Sequence, residues 1–563
     1  MKRIFIILAI FGATLSLWAQ DTYYAEMLSR NNYYGTARSV GLGNAVTALG
    51  GDLGTIGINP AGAAVNSYSQ FTVTPALLIQ STGAAWSADG SENYGSPFKA
   101  GHTKTNLPNC GLNLVFYTGE YEGLKYFTAG FVVNTTNTFL NYNTGHGSND
   151  KTSFLGNLAA WAEGSNPNQF SNNLYAAYRA NQFGEYGPEG SLVYSGADQM
   201  IDPTDSYAYV PGVLNQTSTN NSYGTKKDVL LNMGFNVSDK LYVGFNLGLP
   251  SLNYRREDGF IEKAQNTSAF PVNFLDKEGN HLGVEGEPTT YFSSSENVFK
   301  LNTDADGIYA KAGFIYLPVE GLRIGAAFQT PSYLVVNEEW QYTAKTKYVY
   351  GKYNDSGSSG RSSASYSLRT PYIVNAGAAW TFGAGGLVSL DYELTDYGVM
   401  KYSDNEADIF SDSAWDYTNQ CNGLFCGVSH SLRAGVEYKP IPELAVRGGY
   451  SIITDPERYA YDSEGRMVTA ANWAGPEELL SDFKYFVNNT HAFSLGLGYT
   501  SRGSFFADAA VRLTKYPTSY LKPYYYGEYW VVDKDNKPID IAMPEIKLNR
   551  KIVDVLLTIG WRF

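Results

Sequence analysis

Lys551-Ile552-Val553-Asp554-Val555-Leu556-Leu557-Thr558-Ile559-Gly560-Trp561-Arg562-Phe563 is the stretch whose reading decides the fold. Val553, Val555, Leu557, Ile559, Trp561 and Phe563 share one parity, and Asp554, Thr558, Gly560 and Arg562 share the other. A strand turns alternate side chains to opposite faces. One face here is continuously apolar and ends in two aromatics, while the other carries small or polar groups. A soluble sandwich strand can show the same alternation. A strand of this kind ending on Phe is the pattern of a bacterial outer-membrane β-barrel, where the outward face meets lipid and aromatics sit at the membrane boundary.

The opposite end agrees. Lys2 and Arg3 precede the apolar run Ile4 to Leu17, followed by Trp18-Ala19-Gln20. These features predict a signal peptide over residues 1–19, too short for a spanning helix. No later segment holds about 20 consecutive apolar residues, so no transmembrane helix is expected. Barrel strands barely register on hydropathy, so the mean hydropathy of -0.26 is compatible with a barrel. The 45 tyrosines suit aromatic girdles. The net charge of -13 becomes -15 once Lys2 and Arg3 are removed, with 39 basic against 54 acidic residues. An acidic surface of this kind speaks against nucleic acid as a partner.

Alternating segments recur along the chain, separated by two kinds of connection. Short ones fall at Gly119–Gly123, Ser238–Lys240, Pro318–Gly321, Phe382–Gly386, Lys439–Pro442 and Ser501–Gly503. Long ones run approximately over 81–106, 136–226, 252–305, 334–364, 403–427, 454–488 and 517–549. The two kinds alternate strictly, which predicts an all-β fold: a 14-stranded antiparallel transmembrane β-barrel over residues 68–563, with its largest outer loop at 136–226. Short turns on one side and long loops on the other are the outer-membrane pattern.

Charged residues gather on the parity opposite the apolar face: Lys311, Arg323, Asp391, Glu393, Arg433, Glu437, Arg447, Asp508 and Arg512. A basic residue facing mid-bilayer lipid costs roughly 2–4 kcal/mol, so these side chains are expected in the lumen. Their mixed signs favour a lattice of ion pairs over substrate guidance by single arginines. Fourteen strands enclose more space than inward side chains alone can fill. Residues 20–67, rich in glycine, are the expected plug, or hatch, with Ala45, Val46, Ala48 and Leu49 in a short buried helix or turn.

Within that segment stand Gly35-Thr36-Ala37-Arg38-Ser39-Val40-Gly41-Leu42-Gly43-Asn44-Ala45, then Thr47-Ala48-Leu49-Gly50-Gly51-Asp52, then Asn59-Pro60-Ala61-Gly62. These runs resemble the N-terminal hatch of the FadL/TodX family, outer-membrane transporters of long-chain fatty acids and other hydrophobic compounds. Gly325-Ala326-Ala327-Phe328-Gln329-Thr330-Pro331 and Leu390-Asp391-Tyr392-Glu393 resemble Bacteroidetes-type members. The resemblance implies that an apolar ligand is caught by outer loops, enters a lumenal pocket, shifts the hatch, and leaves sideways through a gap in the barrel wall. It assigns Asn59, Pro60, Ala61 and Gly62 to the hatch, with Arg38 and Gly41 beside them. It implies a monomer in the outer membrane whose partners are a hydrophobic small molecule and membrane lipid, with no cofactor. The gap needs a kinked, locally unpaired strand, and Gly130 followed by Asn134 in the third strand is the sequence candidate.

In loop 136–226, Phe154, Leu158, Trp161, Phe170, Leu174 and Tyr178 approach helical spacing. Two short amphipathic helices there either form an apolar capture groove or pack only on each other and neighbouring loops. Cys110 shares the apolar parity of its strand, and Cys421 and Cys426 fall in one loop. In an oxidising compartment the latter pair forms either a small disulfide or two free thiols. His102, His146, His281, His430 and His491 show no metal-binding spacing, and no catalytic or phosphate-binding motif stands out, so no enzyme activity is expected. Asp404, Glu406, Asp408, Asp412 and Asp416 read as a solvated acidic loop rather than a Ca²⁺ site. Two other functions remain open at this point: a structural or partner-binding barrel of a secretion system, and a haemin-type receptor using a loop histidine.

Overall fold

The computed structural model describes residues 22–186, 190–202, 208–274, 281–284, 286–383, 385–405, 415–473, 475, 480–524 and 543–563. The expected signal peptide and the centre of the acidic loop lie outside the described residues. Fourteen wall strands follow one another in chain order. They are β1 (Gln70–Ser87), β2 (Phe98–Tyr117), β3 (Leu124–Asn137, resuming at Asn141–Asn149), β4 (Leu214–Val237) and β5 (Leu241–Ala264). Next come β6 (Thr290–Val319), β7 (Leu322–Gln329, resuming at Tyr333–Tyr348), β8 (Ser362–Arg369, resuming at Ile373–Phe382) and β9 (Gly386–Asp396, resuming at Lys401–Ser403). The wall ends with β10 (Val428–Ile441), β11 (Leu444–Ile453), β12 (Thr490–Thr500), β13 (Phe505–Lys515, with Ser519–Leu521) and β14 (Glu545–Arg562). Each pairs antiparallel with its neighbour, and β14 closes on β1 with Trp561 opposite Phe71 and Val553 opposite Ile79.

The six short connections stand where the pattern of the sequence puts them. At the β4–β5 turn, Ser238 and Asp239 both adopt positive φ, of 55° and 57°. Paired left-handed residues match the twist of a tight hairpin. Most of the long connections are shorter than expected, because the strands run on past the alternating stretch, while those at 404–427 and 454–489 match the expectation. β5 continues to Ala264, where the sequence suggested a loop from about residue 252. At about 3.3 Å per residue it is far longer than an apolar band about 25 Å tall requires. Once the strand leaves lipid its outward face turns polar, and the alternation that marked it fades.

Outward side chains form the apolar band. Phe245, Leu432 and Leu495 are 52%, 55% and 72% exposed on the barrel surface. Tyr117, Phe382, Tyr438, Trp561 and Phe563 ring the short-turn end. A continuous belt of this size is stable only when lipid covers it, and aromatics at its rim are the membrane boundary. This is the architecture of an outer-membrane-type barrel.

The plug fills the lumen. It contains α1 (Thr22–Ser29), α2 (Ala37–Gly41) and two 3₁₀ turns, Leu53–Gly57 and Pro60–Val65. Thr36 caps α2 by accepting from the Ser39 N–H, and Asn59 caps the second turn by accepting from the Ala61 N–H. Pro60 follows the cap, where its missing N–H costs nothing. Thr47 to Leu49 form a turn, and Leu42, Val46, Ala48, Leu49 and Ile58 make a small core that they share with Ala379 of β8 and Leu387 of β9.

Candidate functional site

The plug meets much of the wall backbone to backbone. On the lumen face, Gly244 lies against Pro60, Gly325 against Thr47 and Ala48, and Gly496 against Gly41, while Gly313 makes room for the Asn59 side chain. A Cβ on Gly449 would stand 2.1 Å from the Gly43 nitrogen. Only glycine permits so close an approach.

Asn59 is the plug's central tie and is fully buried. Its Nδ2 donates to Thr47 O (2.7 Å) and to Phe314 O on β6 (3.0 Å), and its Oδ1 accepts from Ala61 N (3.1 Å). One side chain thus joins two plug turns to the wall. Pro60, Ala61 and Gly62 are buried beside it, with Gly62 O accepting from Gly51 N. Arg38 reaches Gly50 O (3.3 Å) and Glu437 on β10 (3.5 Å).

The predicted lumen charges do face inward, and they divide into two groups. Arg433 pairs with Glu393 (2.9 Å), and Arg447 bridges Glu437 (2.6 Å) and Asp508 (2.5 Å). Arg512 pairs with Asp554 (2.8 Å), an acid visible in the terminal strand but given no role there. The other group grips the plug backbone. Asp391 accepts from Thr47 N (2.7 Å), Arg323 donates to Leu49 O (2.8 Å), and Lys311 donates to Gly57 O (2.8 Å). Lys226 on β4, which pattern reading passed over, caps the end of α1 through Leu28 O (3.0 Å) and Ser29 O (3.1 Å). An inward-facing lysine and aspartate two residues apart, Lys226 and Asp228, were the available signal.

At the outer end of the plug, α1 occupies an aromatic compartment. Tyr24, Ala25 and Leu28 are buried among Tyr254, Leu301, Tyr366, Tyr402 and Trp415. Tyr24 meets Tyr254 edge-on with ring centroids 5.7 Å apart, and Tyr402 stacks on Trp415 at 5.0 Å. Glu26 and Arg30, one turn apart on this segment, form a 2.5 Å ion pair.

The wall itself is interrupted at β3. From Tyr126 to Asn134 this strand pairs with β2 (Tyr117 to Asn109), and there the pairing stops. Thr138-Phe139-Leu140 break the strand, Phe139 with φ 48°. The outer half resumes at Asn141 and pairs with β4 only. It turns inward across β1 and β14: Gln80 exchanges two hydrogen bonds with the Tyr142 backbone, and Cβ positions on Gly145 and Gly147 would run into Ile546 and the Trp86 ring. The outer half of β2 pairs with β1 on one side and, among the described residues, with no strand on the other. Two facing strand edges are therefore unpaired, bridged by side chains such as His102 stacked on Tyr142 at 3.8 Å. The break is not at Gly130, as the sequence suggested. Gly130 is paired on both sides, with Asn113 and Asn232, and its missing side chain merely makes room for those asparagines. Asn134 is the last residue of β3 in backbone register with β2, and the Thr135 hydroxyl beyond it donates to Leu107 O (3.3 Å).

The long-loop helices form as expected, as α3 (Phe154–Ala162) and α4 (Asn172–Arg179). Leu158 and Leu174 are buried in the loop's own core, and Phe154, Trp161, Phe170 and Tyr178 pack against it, together with Phe292 and Tyr348 of β6 and β7. Phe154, Trp161, Phe170 and Tyr178 stay half-buried, with part of each side chain still facing outward. Cys421 and Cys426 are buried at α5 (Asp416–Phe425) and its end and are not joined in a disulfide, so that alternative is not the one adopted. Cys110 keeps the outward parity. The other histidines are engaged locally: His146 with Thr217, His281 with Asn273, His430 with Tyr392 and His491 with Tyr450.

No protein-family model matches the chain, and no curated protein matches it. Among solved structures the chain is similar to a Pseudomonas aeruginosa FadL homologue, at 12% identity and TM-score 0.49, over 95% of this chain and 100% of the other. It is similar to the Pseudomonas putida toluene transporter TodX, at 11% identity and TM-score 0.43, over 94% and 99%. It is also similar to the Ralstonia pickettii toluene transporter TbuX, at 15% identity and TM-score 0.43, over 94% and 99%.

Proposed function

We propose that this barrel takes up hydrophobic compounds across the bacterial outer membrane and releases them sideways through the wall, as the resemblance of its hatch to the FadL/TodX family implies. The observation that carries the reading is the break in β3. A barrel normally pairs every strand edge, because an unpaired backbone group in hydrocarbon costs several kcal/mol. Here two edges stay open at the outer part of the apolar band, beside a plugged lumen. A general pore has no use for such an opening, since the plug fills its channel.

The aromatic compartment supplies the waiting place. An apolar ligand entering it recovers about 25 cal/mol for each Å² removed from water. The compartment is filled by α1, so a ligand has to displace Tyr24, Ala25 and Leu28. Lys226 holds the far end of α1 by two charge-assisted hydrogen bonds. Displacing α1 therefore pulls on Asn31 to Tyr34, the segment that runs along Thr135 and Thr136 of β3 next to the break. Binding is thereby linked mechanically to the opening. Fatty acids and monoaromatic hydrocarbons are both candidates for the cargo.

The test is native mass spectrometry of the purified protein with identification of co-purifying molecules, together with uptake of labelled toluene and decanoate by cells that make this barrel and no comparable one. Bound apolar molecules, and uptake above the empty-vector rate that is lost when residues 22–29 are tethered in place, support the reading. An empty barrel and vector-level uptake of both compounds would sink it.

A further inference from the structure

Across much of the wall, charged residues that stand directly opposite on neighbouring strands have opposite signs. Glu257 faces Lys300, Glu296 faces Lys345, Glu437 faces Arg447 and Arg512 faces Asp554. Lys515 on β13 and Lys551 on β14 break this rule by facing each other, and His491 on β12 stands next to Lys515 in the same row. Arg369 and Lys401 are also like-charged neighbours, but there the guanidinium donates to Val399 O (3.0 Å). Neither Lys515 nor Lys551 enters an ion pair among the described residues. Like charges directly opposite each other destabilise a sheet. In a chain whose 54 acidic residues outnumber its 41 basic ones, an unmatched basic row calls for an anion from outside.

The height of the row on the barrel says which kind of anion. Both lysines are exposed and keep the outward parity of their strands. Toward the short-turn end, the same faces carry Leu513 and Val511 on β13, and Val553 and Val555 on β14. The row therefore stands on the outer rim of the apolar band, where acyl chains give way to head groups. A lysine there lays its stem on apolar surface and lifts its ammonium into the head-group layer. Beyond Lys551 the row continues as Ser81 of β1 and Gly101 of β2, both exposed and too small to cover it. Residues opposite each other on paired strands have Cβ atoms about 5 Å apart, so two ammonium groups can reach one phosphate. Each then makes a charge-assisted hydrogen bond to it. The long loops place this rim on the outer side, where phosphorylated glycolipid fills the leaflet.

We infer that the outer rim of β13 and β14 is a docking surface for a phosphorylated glycolipid of the outer leaflet. Its phosphate sits on Lys515 and Lys551, and its acyl chains run along Leu513, Val511, Val553 and Val555. The inference does not depend on what the barrel takes up.

The test uses the full-length protein in detergent micelles, titrated with bisphosphoryl lipid A or with the same lipid stripped of its phosphates. Native mass spectrometry reads the lipid retained on the barrel. A lysine near an anionic lipid surface is worth about fivefold in affinity, so the stripped lipid should bind about 25-fold more weakly. Lys515→Gln and Lys551→Gln should each weaken the phosphorylated lipid about fivefold and leave the stripped lipid unmoved. Lys227→Gln removes the same charge from β4, where Thr135 and Ser251 stand opposite, and should leave both affinities unchanged. Each variant is confirmed as a closed barrel by its heat-dependent migration on mild-detergent gels. Equal binding of the two lipids would overturn the inference. So would parent-level binding by both Lys515→Gln and Lys551→Gln, or a loss in Lys227→Gln as large as theirs.

Discussion

Removing the Asn59 side chain should release the plug without unfolding the barrel. Asn59→Ala deletes three hydrogen bonds, to Thr47 O, Phe314 O and Ala61 N. Within the plug, it leaves the Thr47 carbonyl and the Ala61 N–H buried without this partner. Each such group costs about 1–3 kcal/mol, so the closed plug loses about 2–6 kcal/mol relative to an open one in which water reaches both. Even the lower end raises the open population about 30-fold, at 1.4 kcal/mol per factor of ten. Hydrogen exchange read by mass spectrometry measures this directly. Amides between residues 36 and 65 should exchange at least about 30-fold faster, while those of β5 between residues 241 and 249 keep their protection. Single-barrel conductance in a planar bilayer should rise in parallel, since the plug is what fills the lumen. Plug amides exchanging within about threefold of the parent, or β5 loosening to the same extent, would refute the reasoning. The first result would mean that Asn59 does not hold the plug. The second would mean that plug and wall unfold as one.

Gly147→Val sets a side chain where a Cβ alone would stand 2.0 Å from the Trp86 ring. It should push the outer half of β3 off β1 toward β2, at an overpacking cost of about 1–3 kcal/mol, and slow uptake of apolar compounds. Uptake at the parent rate would detach the inward turn of β3 from transport. Arg447→Met leaves Glu437 and Asp508, which now share one guanidinium, as neighbouring carboxylates, with Arg38 and the distant Lys439 near Glu437. Removing one partner of a buried charge network costs about 3–5 kcal/mol, and the temperature at which the barrel unfolds on mild-detergent gels should fall. An unchanged transition would show that water replaces the arginine. At the outer end of β5, beyond the apolar band, Glu262 accepts from the Phe154 and Leu155 N–H groups at the start of α3. Burial pushes its carboxyl up to about 7, and burial followed by the Glu262 charge raises Asp198 beside it. An acid whose value rises on folding stabilises the fold below its unfolded value, and the benefit is lost as pH climbs through the folded one. Amides of α3 should therefore be better protected at pH 5 than at pH 8, after correction for intrinsic exchange, and Glu262→Gln should flatten the difference. Equal protection in the parent would remove the carboxyl pair as the cause.

Strand number, inside-out parity and the plug could be read from sequence because lipid imposes a strict rule. A charged side chain on the outer face is costly at every strand, so Arg433, Glu437, Arg447 and Asp508 reveal the lumen by parity alone. Outside the membrane that rule lapses. The strands continue past residue 252 on one side and 305 on the other with no alternation to mark them. Helical spacing showed that α3 and α4 exist, but a stripe such as Leu158 and Leu174 looks the same whether it faces a ligand or a neighbouring helix. The break in β3 was missed for a related reason. Thr138, Phe139 and Leu140 are unremarkable strand residues, and what interrupts the pairing is the inward turn over Trp86 and Ile546. Gly145 and Gly147 record that close approach, yet from sequence alone they read as loop glycines.

The two sides of the plug are held by different physics, and that difference bears on how it moves. Beneath the break, Leu53, Ile56 and Ala63 pack against Val132, Leu230 and Tyr309 of the wall. On other sides of the lumen charged and backbone contacts stand beside apolar ones: Arg38 on Glu437, Thr47 on Asp391 and Gly43 on Gly449, with Ala37 and Val40 packed on Leu78 and Leu556. An apolar ligand replaces an apolar contact at little net cost, because the buried area is conserved. It cannot replace a hydrogen bond to a buried carboxylate, and breaking one leaves an unpaired group. A ligand arriving from the aromatic compartment is thus expected to loosen the plug first under the β3 break, with the charged side serving as the pivot. Exchange measured with ligand bound should then rise over residues 53–63 before it rises over residues 38–50. A uniform rise across the plug would instead indicate release as a single body.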